Sequence, residues 1–302
     1  MKVLITGGAG FIGHNIAIHL KEKGFEVQVL DSFERSTELA VKRLREASIP
    51  ATKIEIRNIN QVKNVLHDAD AVVHAAAYID VAESMEKPLL YLNNNILGTA
   101  SIAKASLDSG VGLFIYLSSA AVYGDPVKLP IVEDHPTSPL SPYGLSKLMG
   151  EDVVRFFSKY GLKHVILRLF NVYGLGQKSA YAGVITKFLE RAGEKLPPVV
   201  YGDGEQTRDF IHVDDVAKAV ELTIKTSQVN GVFNIGSGNP VKIRDLAKLV
   251  MRLCQVEGEP VYTAQRPGDI KHSYADITKA RSLLGFEPRI GLEEGLKKLI
   301  LL

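Results

Sequence analysis

Short apolar strands alternate with amphipathic helices through the first half of the chain, and this rhythm restricts the possible folds more than any other feature. The apolar runs are continuous, as in strands that are buried on both faces of a sheet. Parallel strands need a crossover between them, and the intervening helices supply it. Strands are predicted at 2–6, 26–30, 53–57, 71–74, 113–118 and 164–169, and helices at 11–23, 36–47, 89–109 and 142–160. The pattern predicts an α/β fold with a doubly wound parallel sheet of the Rossmann type.

The rhythm changes after Asn171. Loops rich in Gly, Pro and Tyr appear at 173–181, 197–208 and 257–269, separated by shorter helices. We therefore expect a nucleotide-binding domain over 1–170 and a smaller, partly irregular α/β substrate domain over 171–302. Part of 210–230 is expected to pack on the first domain.

Composition excludes several classes of protein. The 302 residues contain 36 Lys and Arg against 34 Asp and Glu, so no bulk charge indicates a nucleic acid or an anionic membrane as partner. No apolar run is long enough to span a bilayer. The single cysteine, Cys254, excludes an internal disulfide and a cysteine-rich metal site, and its apolar helical surroundings favour a core thiol. No metal is expected. The chain runs from Met1 directly into a strand, unlike a signal peptide, and a cytoplasmic location is predicted.

A glycine-rich turn follows the first strand and opens the first helix. Gly7, Gly10 and Gly13 permit a tight turn and close backbone approach, and the helix N-terminus that includes Phe11 and Ile12 favours a pyrophosphate. A strand, a glycine turn and a helix in this order indicate dinucleotide binding.

Asp31 ends the second strand, where an acid binds the ribose hydroxyls of NAD and repels a 2′-phosphate. Arg35 follows four residues later and offers a site for NADP instead. We give Asp31 more weight because it occupies the discriminating position, and NAD is the predicted cofactor.

Tyr143 and Lys147 are four residues apart in a predicted helix that starts at Ser141-Pro142. Residues at this spacing share a helix face, and a nearby ammonium lowers the pKa of a phenol. Such a tyrosine can accept a proton from a sugar hydroxyl. The spacing alone is also common on solvated helix faces, so the other motifs must decide whether Tyr143 and Lys147 form a catalytic pair.

Several motifs occur in an order that resembles the extended short-chain dehydrogenase/reductase family, and most closely its UDP-glucose (UDP-galactose) 4-epimerases. They are the three glycines, Asp31, Val73-His74-Ala75-Ala76, Asn95-Ile96-Leu97-Gly98-Thr99, Ser118-Ser119-Ala120-Ala121-Val122-Tyr123-Gly124 and Tyr143-x-x-x-Lys147. The resemblance covers essentially the whole chain.

The resemblance also implies roles for residues around the cofactor. It places Ala75, Ala76 and Tyr143 at NAD, and Asn95 and Lys147 at the nicotinamide ribose. Asn58 and Ile59 stand where the family has an Asp followed by the apolar residue that contacts adenine. A homodimer through the helices at 89–109 and 142–160 is implied as well.

Ser119 and the two alanines after it discriminate between reactions. Ser119 ends a strand and is expected to share a sugar oxygen with Tyr143. Related 4,6-dehydratases carry an acidic pair where Ala120 and Ala121 stand, and methyl groups cannot supply the acid and base that elimination needs. The sequence therefore favours reversible oxidation at C4, as in epimerisation. A UDP-glucuronate epimerase, a nucleotide-sugar 4-reductase and a catalytically silent NAD-binding regulator remain alternatives.

The second half offers candidates for nucleotide-sugar binding. Arg208 and Arg266 lie in loop motifs, and arginine forks suit diphosphate oxygens, although a surface ion pair is the commoner role of an arginine. The resemblance further implies that Asn171 contacts the diphosphate, Asp269 the nucleotide ribose, and Tyr201 the uracil. The small Ser273 leaves room for an N-acetyl group where some epimerases have tyrosine. His212 is predicted to be structural.

Overall fold

A seven-stranded sheet forms the centre of the computed structural model, which describes residues 1–66, 68–177, 183–226, 229–265 and 268–301. The strands of the described chain are β1 Lys2–Thr6, β2 Glu26–Asp31, β3 Ala51–Lys53, β4 Ala71–His74, β5 Leu113–Ser119, β6 His164–Leu169, β7 Asn171–Tyr173, β8 Val199–Tyr201, β9 Thr207–His212, β10 Gly231–Ile235, β11 Pro240–Lys242, β12 Val261–Thr263 and β13 His272–Ser273. The central sheet has the order β3-β2-β1-β4-β5-β6-β10, and all its described pairings are parallel. The predicted Rossmann-type sheet is confirmed.

Helices cover both faces of this sheet. They are α1 Phe11–Glu22, α2 Glu38–Glu46, α3 Ile59–Leu66, α4 Val81–Glu86, α5 Pro88–Leu92, α6 Gly98–Asp108, α7 Pro142–Ser158, α8 Val184–Gly193, α9 Val213–Lys225, α10 Ile243–Cys254, α11 Thr278–Leu284 and α12 Leu292–Ile300. One apolar cluster joins the sheet to α1 and α9 through side chains such as Ile16 and Val220. A second joins it to α3, α6 and α7 through Ile102 and Val154. The continuous apolar strands thus bury both faces, as their composition predicted.

Two predicted elements differ in the structure. The strand predicted at 53–57 lies at Ala51–Lys53 instead, and it ends where β2, its partner in the described sheet, ends opposite it at Asp31. The helix predicted at 89–109 is interrupted by a π-helical turn, Asn93–Leu97. Asparagine side chains compete for backbone hydrogen bonds, and three successive asparagines open this turn. Such turns inside helices are frequent at functional sites.

The second half of the chain forms layers of its own and also returns once to the central sheet. Helix α9 packs against α1, and β10 adds the edge strand beside β6. Strands β7, β11 and β13 pair with β9, and β8 pairs with β12. A separate apolar cluster, which includes Phe188 and Leu246, fills the space between α8, α10 and these strands. The domain division at residue 170 stays a prediction.

Within the described parts of the chain, none of the helices combines the length and the apolar character that crossing a bilayer requires.

Candidate active site

A cleft with about 1050 Å³ of empty space opens at the carboxyl ends of β1, β2 and β4. Ligands of doubly wound sheets bind at this edge, where the strand order reverses. The predicted residues that line it are Gly7, Gly10, Phe11, Ile12, Gly13, Asp31, Ala75 and Ala76. The structure therefore brings together the glycine turn, the acid and the two alanines.

The glycine turn is packed too tightly for side chains. At Gly7, where φ is +66°, a Cβ would lie 2.6 Å from backbone atoms of Ala76. A Cβ at Gly13 would lie 2.2 Å from the carbonyl oxygen of Gly7. Gly10 caps α1 without a side chain, and the first turn holds no acidic residue. The first amides of α1, which have no side-chain cap, can thus donate to an anion such as the pyrophosphate of NAD, and the residues present fit that cofactor.

Asp31 is buried and held in place by backbone amides. Its carboxylate accepts hydrogen bonds from the amides of Ala9 at 2.9 Å and Phe33 at 2.8 Å. Burial raises the pKa of Asp31, and these two hydrogen bonds oppose that rise. The carboxylate lines the cleft, where it can accept hydrogen bonds from ribose hydroxyls.

The wall expected to contact adenine consists of different residues from those predicted. Glu55 and Ile56 line the cleft, whereas Asn58 and Ile59 are absent from its described lining. The Asn58 carboxamide instead accepts a hydrogen bond from the Gln61 amide at 3.2 Å, at the start of α3. The predicted adenine contacts of Asn58 and Ile59 are therefore not supported, because the early end of β3 moves the wall three residues towards the N-terminus.

Asn95 is almost completely buried in the π-helical turn. Its oxygen accepts a hydrogen bond from the Tyr78 amide at 2.8 Å, and its nitrogen donates to the Ser146 hydroxyl at 2.8 Å. The side chain thus ties the loop after β4 to α7, next to Lys147. The ribose contact that the resemblance implied for Asn95 stays a prediction.

Tyr143, Lys147 and Ser119 come together where β5 ends. Helix α7 begins at Pro142, and the Ser141 hydroxyl accepts a hydrogen bond from the Gly144 amide at 3.1 Å, as the sequence indicated. The Ser119 hydroxyl lies within hydrogen-bonding reach of the Tyr143 phenol and lowers its pKa. Lys147 turns inward, with its nitrogen 4.4 Å from the ring centre of Tyr116. A proton acceptor therefore adjoins a hydroxyl partner, and a buried cation lies about one helical turn further along α7.

Burial dominates the electrostatics of this pair. It raises the pKa of Tyr143, and the hydrogen bond from Ser119 opposes the rise. It lowers the pKa of Lys147 to about 7, against the effect of Glu151. The predicted lowering of the Tyr143 pKa by Lys147 is thus wrong for the protein alone, because desolvation of the phenol has the larger effect.

A buried ion pair beneath the site was missed by the sequence reasoning. Glu151 is fully buried, and Arg168 binds its carboxylate with two hydrogen bonds, at 2.8 and 2.7 Å. The Ser118 hydroxyl donates to the same carboxylate at 2.6 Å. Two signals were available, because Glu151 continues the four-residue spacing from Lys147 and Arg168 interrupts an otherwise apolar strand.

The candidates for substrate binding lie on short strands and loops. The Arg208 guanidinium donates to the Asp269 carboxylate, and Ser273 pairs in register with Arg208 across β13 and β9. Burial lowers the pKa of Arg208, and Asp269 opposes this change. Tyr201 ends β8 with its side chain exposed. Arg266 lies outside the described residues.

Asn171 belongs to the same group of candidates. It starts β7, and its carboxamide donates to the Asp209 carbonyl at 2.9 Å. The structure thus fixes the side chain beside β9, two residues from the backbone position of Arg208 along the paired strands.

His212 and Cys254 have local roles. The His212 ring accepts a hydrogen bond from the Asp214 amide at 3.2 Å and caps α9. Cys254 ends α10 half-buried, and burial raises the pKa of its thiol. A raised pKa opposes the thiolate form that a nucleophile requires.

Residues 3–236 match the model of the "NAD dependent epimerase/dehydratase family". The chain belongs to this family. The predicted resemblance to extended short-chain dehydrogenases/reductases and the choice of NAD as cofactor are confirmed. The family match covers the cleft, the Tyr143 cluster and Arg208.

Three similar proteins are all named as 4-epimerases of UDP-sugars. A UDP-glucose 4-epimerase from Halalkalibacterium halodurans is 34% identical, over 96% of this chain and 91% of that protein. The crystal structure of the Thermotoga maritima UDP-glucose 4-epimerase with UDP-glucose has a TM-score of 0.94 and 37% identity, covering 100% of this chain and 98% of that one. A UDP-N-acetylglucosamine 4-epimerase from Methanobrevibacter ruminantium, in complex with UDP-N-acetylmuramic acid, has a TM-score of 0.93 and 35% identity, covering 99% and 97%.

Proposed function

We propose that this family member is an NAD-dependent 4-epimerase of a UDP-hexose, with UDP-galactose and UDP-glucose as its substrate pair. The observation that carries the proposal is the placement of Ser119, which directly precedes Ala120 and Ala121, at the end of β5 beside Tyr143 at the start of α7. The cluster has the groups for moving one proton at a sugar hydroxyl. The two methyl side chains add no acid or base for an elimination.

In the proposed reaction, the Tyr143 phenolate accepts the proton of the C4 hydroxyl and later returns it. Ser119 hydrogen-bonds the same sugar oxygen, and the Lys147 cation stabilises the phenolate. NAD, when bound, supplies the hydride acceptor and donor and a positively charged nicotinamide ring. The sugar passes through a 4-keto form and must turn between the two steps, so the pocket has to hold the nucleotide firmly and the hexose loosely.

The nucleotide part of the substrate is assigned to the second half of the chain. We propose that Arg208 and Arg266 bind the diphosphate with Asn171, that Asp269 binds the ribose, and that Tyr201 stacks on uracil. The half-buried pair of Arg208 and Asp269 supports this assignment, because a held guanidinium loses less entropy when it binds phosphate.

Turnover of a panel of UDP-sugars without added cofactor tests the function. An epimerase regenerates its cofactor in each cycle, so UDP-galactose should be converted to UDP-glucose by the purified protein alone. A 4-reductase would consume its reduced cofactor and stop after one turnover. Conversion of UDP-glucuronate but not UDP-galactose would identify the alternative epimerase, and no conversion of any sugar by NAD-loaded protein would favour the silent regulator.

Ser273 leaves space for an N-acetyl group, and the similarity to the Methanobrevibacter ruminantium enzyme supports N-acetylhexosamines as additional substrates. We expect Ser273→Tyr to abolish turnover of UDP-N-acetylglucosamine while turnover of UDP-galactose continues. Good turnover of UDP-galactose with none of N-acetylated sugars by the unchanged protein would contradict the proposal.

A homodimer is proposed through α4 to α7. Helices α4, α5 and α6 all pack against α7, and large apolar side chains on this group are exposed. They include Met85 (61%), Leu89 (77%), Leu97 (52%), Met149 (41%) and Phe156 (51%). An exposed apolar surface of this kind is typical of an interface. Light scattering should give twice the monomer mass, and the double variant Leu89→Glu/Phe156→Glu should give the monomer mass.

We also propose a cytoplasmic location. A single cysteine forms no internal disulfide and suits a reducing compartment. Fractionation of the native cells would test this, since recovery with a periplasmic or secreted fraction would contradict it.

A further inference from the structure

We propose that Glu83 is a residue that determines cofactor specificity, by occupying an arginine that would otherwise favour NADP. The proposal rests on NAD binding and is independent of which sugar is epimerised. Its basis is the pairing of Glu83, on α4, with Arg35, which lies in the cofactor cleft.

Arg35 is placed where a cation can reach the adenosine end of the cofactor. It follows Asp31 by four residues and lines the cleft together with Ser32, Ser36 and Thr37. An arginine in this region is the usual partner of a 2′-phosphate. Position alone would therefore favour a mixed preference for the two cofactors.

The guanidinium is already bound by an acid from another part of the chain. Its two terminal nitrogens donate to the two carboxylate oxygens of Glu83, at 2.7 and 3.2 Å. Its carbon lies 3.8 Å from the ring centre of Tyr78, so the ring fixes the plane of the fork. The planar face and the fork that would grip a phosphate are thus both engaged.

Glu83 is itself held firmly. The Tyr91 hydroxyl donates to its carboxylate at 2.8 Å, and the Asp80 carboxylate accepts from its amide at 2.6 Å. Lys87 lies at 3.3 Å. Arg35 lowers the pKa of Glu83 to about 2, so the carboxylate is charged throughout the physiological range.

Further acids surround the guanidinium. Asp31 and Glu55 line the same cleft, and the Glu34 carboxylate accepts a hydrogen bond from the Tyr78 hydroxyl at 2.8 Å. Arg57 binds Glu55, while the counter-charge of Arg35 is Glu83. With Glu83 charged, the positive charge of Arg35 is compensated and its guanidinium fork is occupied, so Arg35 does not attract a 2′-phosphate. Without the charge of Glu83, the positive charge of Arg35 becomes available to a 2′-phosphate.

The topology explains why the acid comes from so far along the chain. In the sheet order, β1 lies between β2 and β4, so the loops after β2 and β4 flank the glycine turn. Arg35 belongs to the first loop, and Glu83 follows the second. Their ion pair joins the two walls of the cleft, where it faces the adenosine side of the cofactor.

The test measures which cofactor the folded protein selects. Purified full-length protein is brought to equilibrium with a mixture of NADP in excess over NAD, and the bound cofactors are extracted and separated by chromatography. We expect Glu83→Gln, which keeps the shape of the side chain, to raise the bound NADP-to-NAD ratio about tenfold. A purely structural role would reduce both cofactors together and leave the ratio unchanged.

Three further variants decide whether the effect passes through Arg35. The double variant Glu83→Gln/Arg35→Ala should return the ratio to the value of the unchanged protein. Glu86→Gln, which removes an exposed acid from the same helix, should leave it unaltered. Arg35→Ala alone should lower the ratio, because Glu83 keeps its negative charge without the compensating arginine. This variant provides the test if Glu83→Gln does not fold. Any of three outcomes would overturn the proposal: an unaltered ratio in Glu83→Gln, an equal rise in Glu86→Gln, or a rise that persists in the double variant.

Discussion

The cofactor half and the substrate half of the site are built by different means. The cofactor cleft is shaped by backbone, with glycines that admit no Cβ and with strand ends buried in the main sheet. The substrate half uses side chains on three-residue and two-residue strands, and Tyr201 there is 37% exposed. A site that is formed by backbone atoms is therefore fixed by the fold itself. A site that is formed by side chains depends on the short strands and loops that carry them.

The ion pairs of the two halves show the same contrast. Glu151 and Arg168, beneath the catalytic cluster, are 0% and 4% exposed. Arg208 and Asp269, in the substrate half, are 17% and 27% exposed. Breaking the buried pair is costly, because it leaves a buried charge without its counter-ion, whereas the Arg208–Asp269 pair is partly open to solvent. The first pair thus fixes the surroundings of the proposed catalytic cluster, and the second lies in the proposed substrate site.

The largest expected effect is on catalysis in the cofactor half. Tyr143→Phe removes the proton acceptor and should lower kcat for UDP-galactose by about 10²- to 10⁴-fold. The amount of bound NAD should stay the same, because the change removes only the phenol oxygen, which belongs neither to the glycine turn nor to the Asp31 carboxylate. Tyr160→Phe, at an exposed position after α7, is the matched control and should keep full activity. An active Tyr143→Phe enzyme would remove the basis of the mechanism.

The sequence predicts the cofactor half well because its signals are local. A glycine turn after Thr6, an acid at the end of β2 and Tyr143 four residues before Lys147 all depend on short-range geometry. The same reasoning did not foresee that Glu55 and Ile56, and not Asn58 and Ile59, line the described cleft, because the end of β3 depends on where its partner strand stops. It also missed the pairs of Glu151 with Arg168 and of Arg35 with Glu83, whose members meet only through tertiary packing.

The buried pair should dominate stability. Glu151→Gln leaves the Arg168 charge without its counter-ion and should lower the free energy of unfolding by about 3–5 kcal/mol. Glu293→Gln is the comparison in the second half, since Glu293 pairs with Arg252 and Lys297 at a 41% exposed position. Glu293→Gln should lower the free energy of unfolding by about 0–1 kcal/mol, as for other surface pairs. Denaturant unfolding of both variants measures the difference, and equal losses would contradict the contrast drawn between the halves.

The glycine turn offers a test of the backbone site. In Gly13→Ala the added methyl would overlap the Gly7 carbonyl, and relief of this overlap should destabilise the protein by about 1–3 kcal/mol. Bound NAD should fall as well, since the turn must shift. At Gly193, the last residue of α8, a Cβ meets no atom within 4 Å, so Gly193→Ala should be neutral or stabilising. Thermal unfolding and NAD content of the two variants provide the measurement.

A pH profile probes Lys147, which is charged below its pKa of about 7. Glu151 raises this pKa, so Glu151→Gln should lower it and leave a smaller fraction of Lys147 charged at neutral pH. Because the charged form stabilises the Tyr143 phenolate, the alkaline fall in kcat should move to lower pH in the variant. An alkaline limb at the same pH in both proteins would show that Lys147 does not set it.

The smallest effect is expected at the rim of the substrate half. If Tyr201 stacks on uracil, Tyr201→Leu should raise KM for UDP-galactose about 2- to 10-fold, since aromatic pairs contribute about 0.5–1.5 kcal/mol beyond area burial. The value of kcat should change little, because the residue lies away from the catalytic cluster. Tyr262 provides the control, as it is also exposed and lies on β12, the strand paired with β8. An equal rise of KM in Tyr262→Leu would assign the effect to this two-stranded sheet, whereas a rise confined to Tyr201→Leu would assign it to the ring itself.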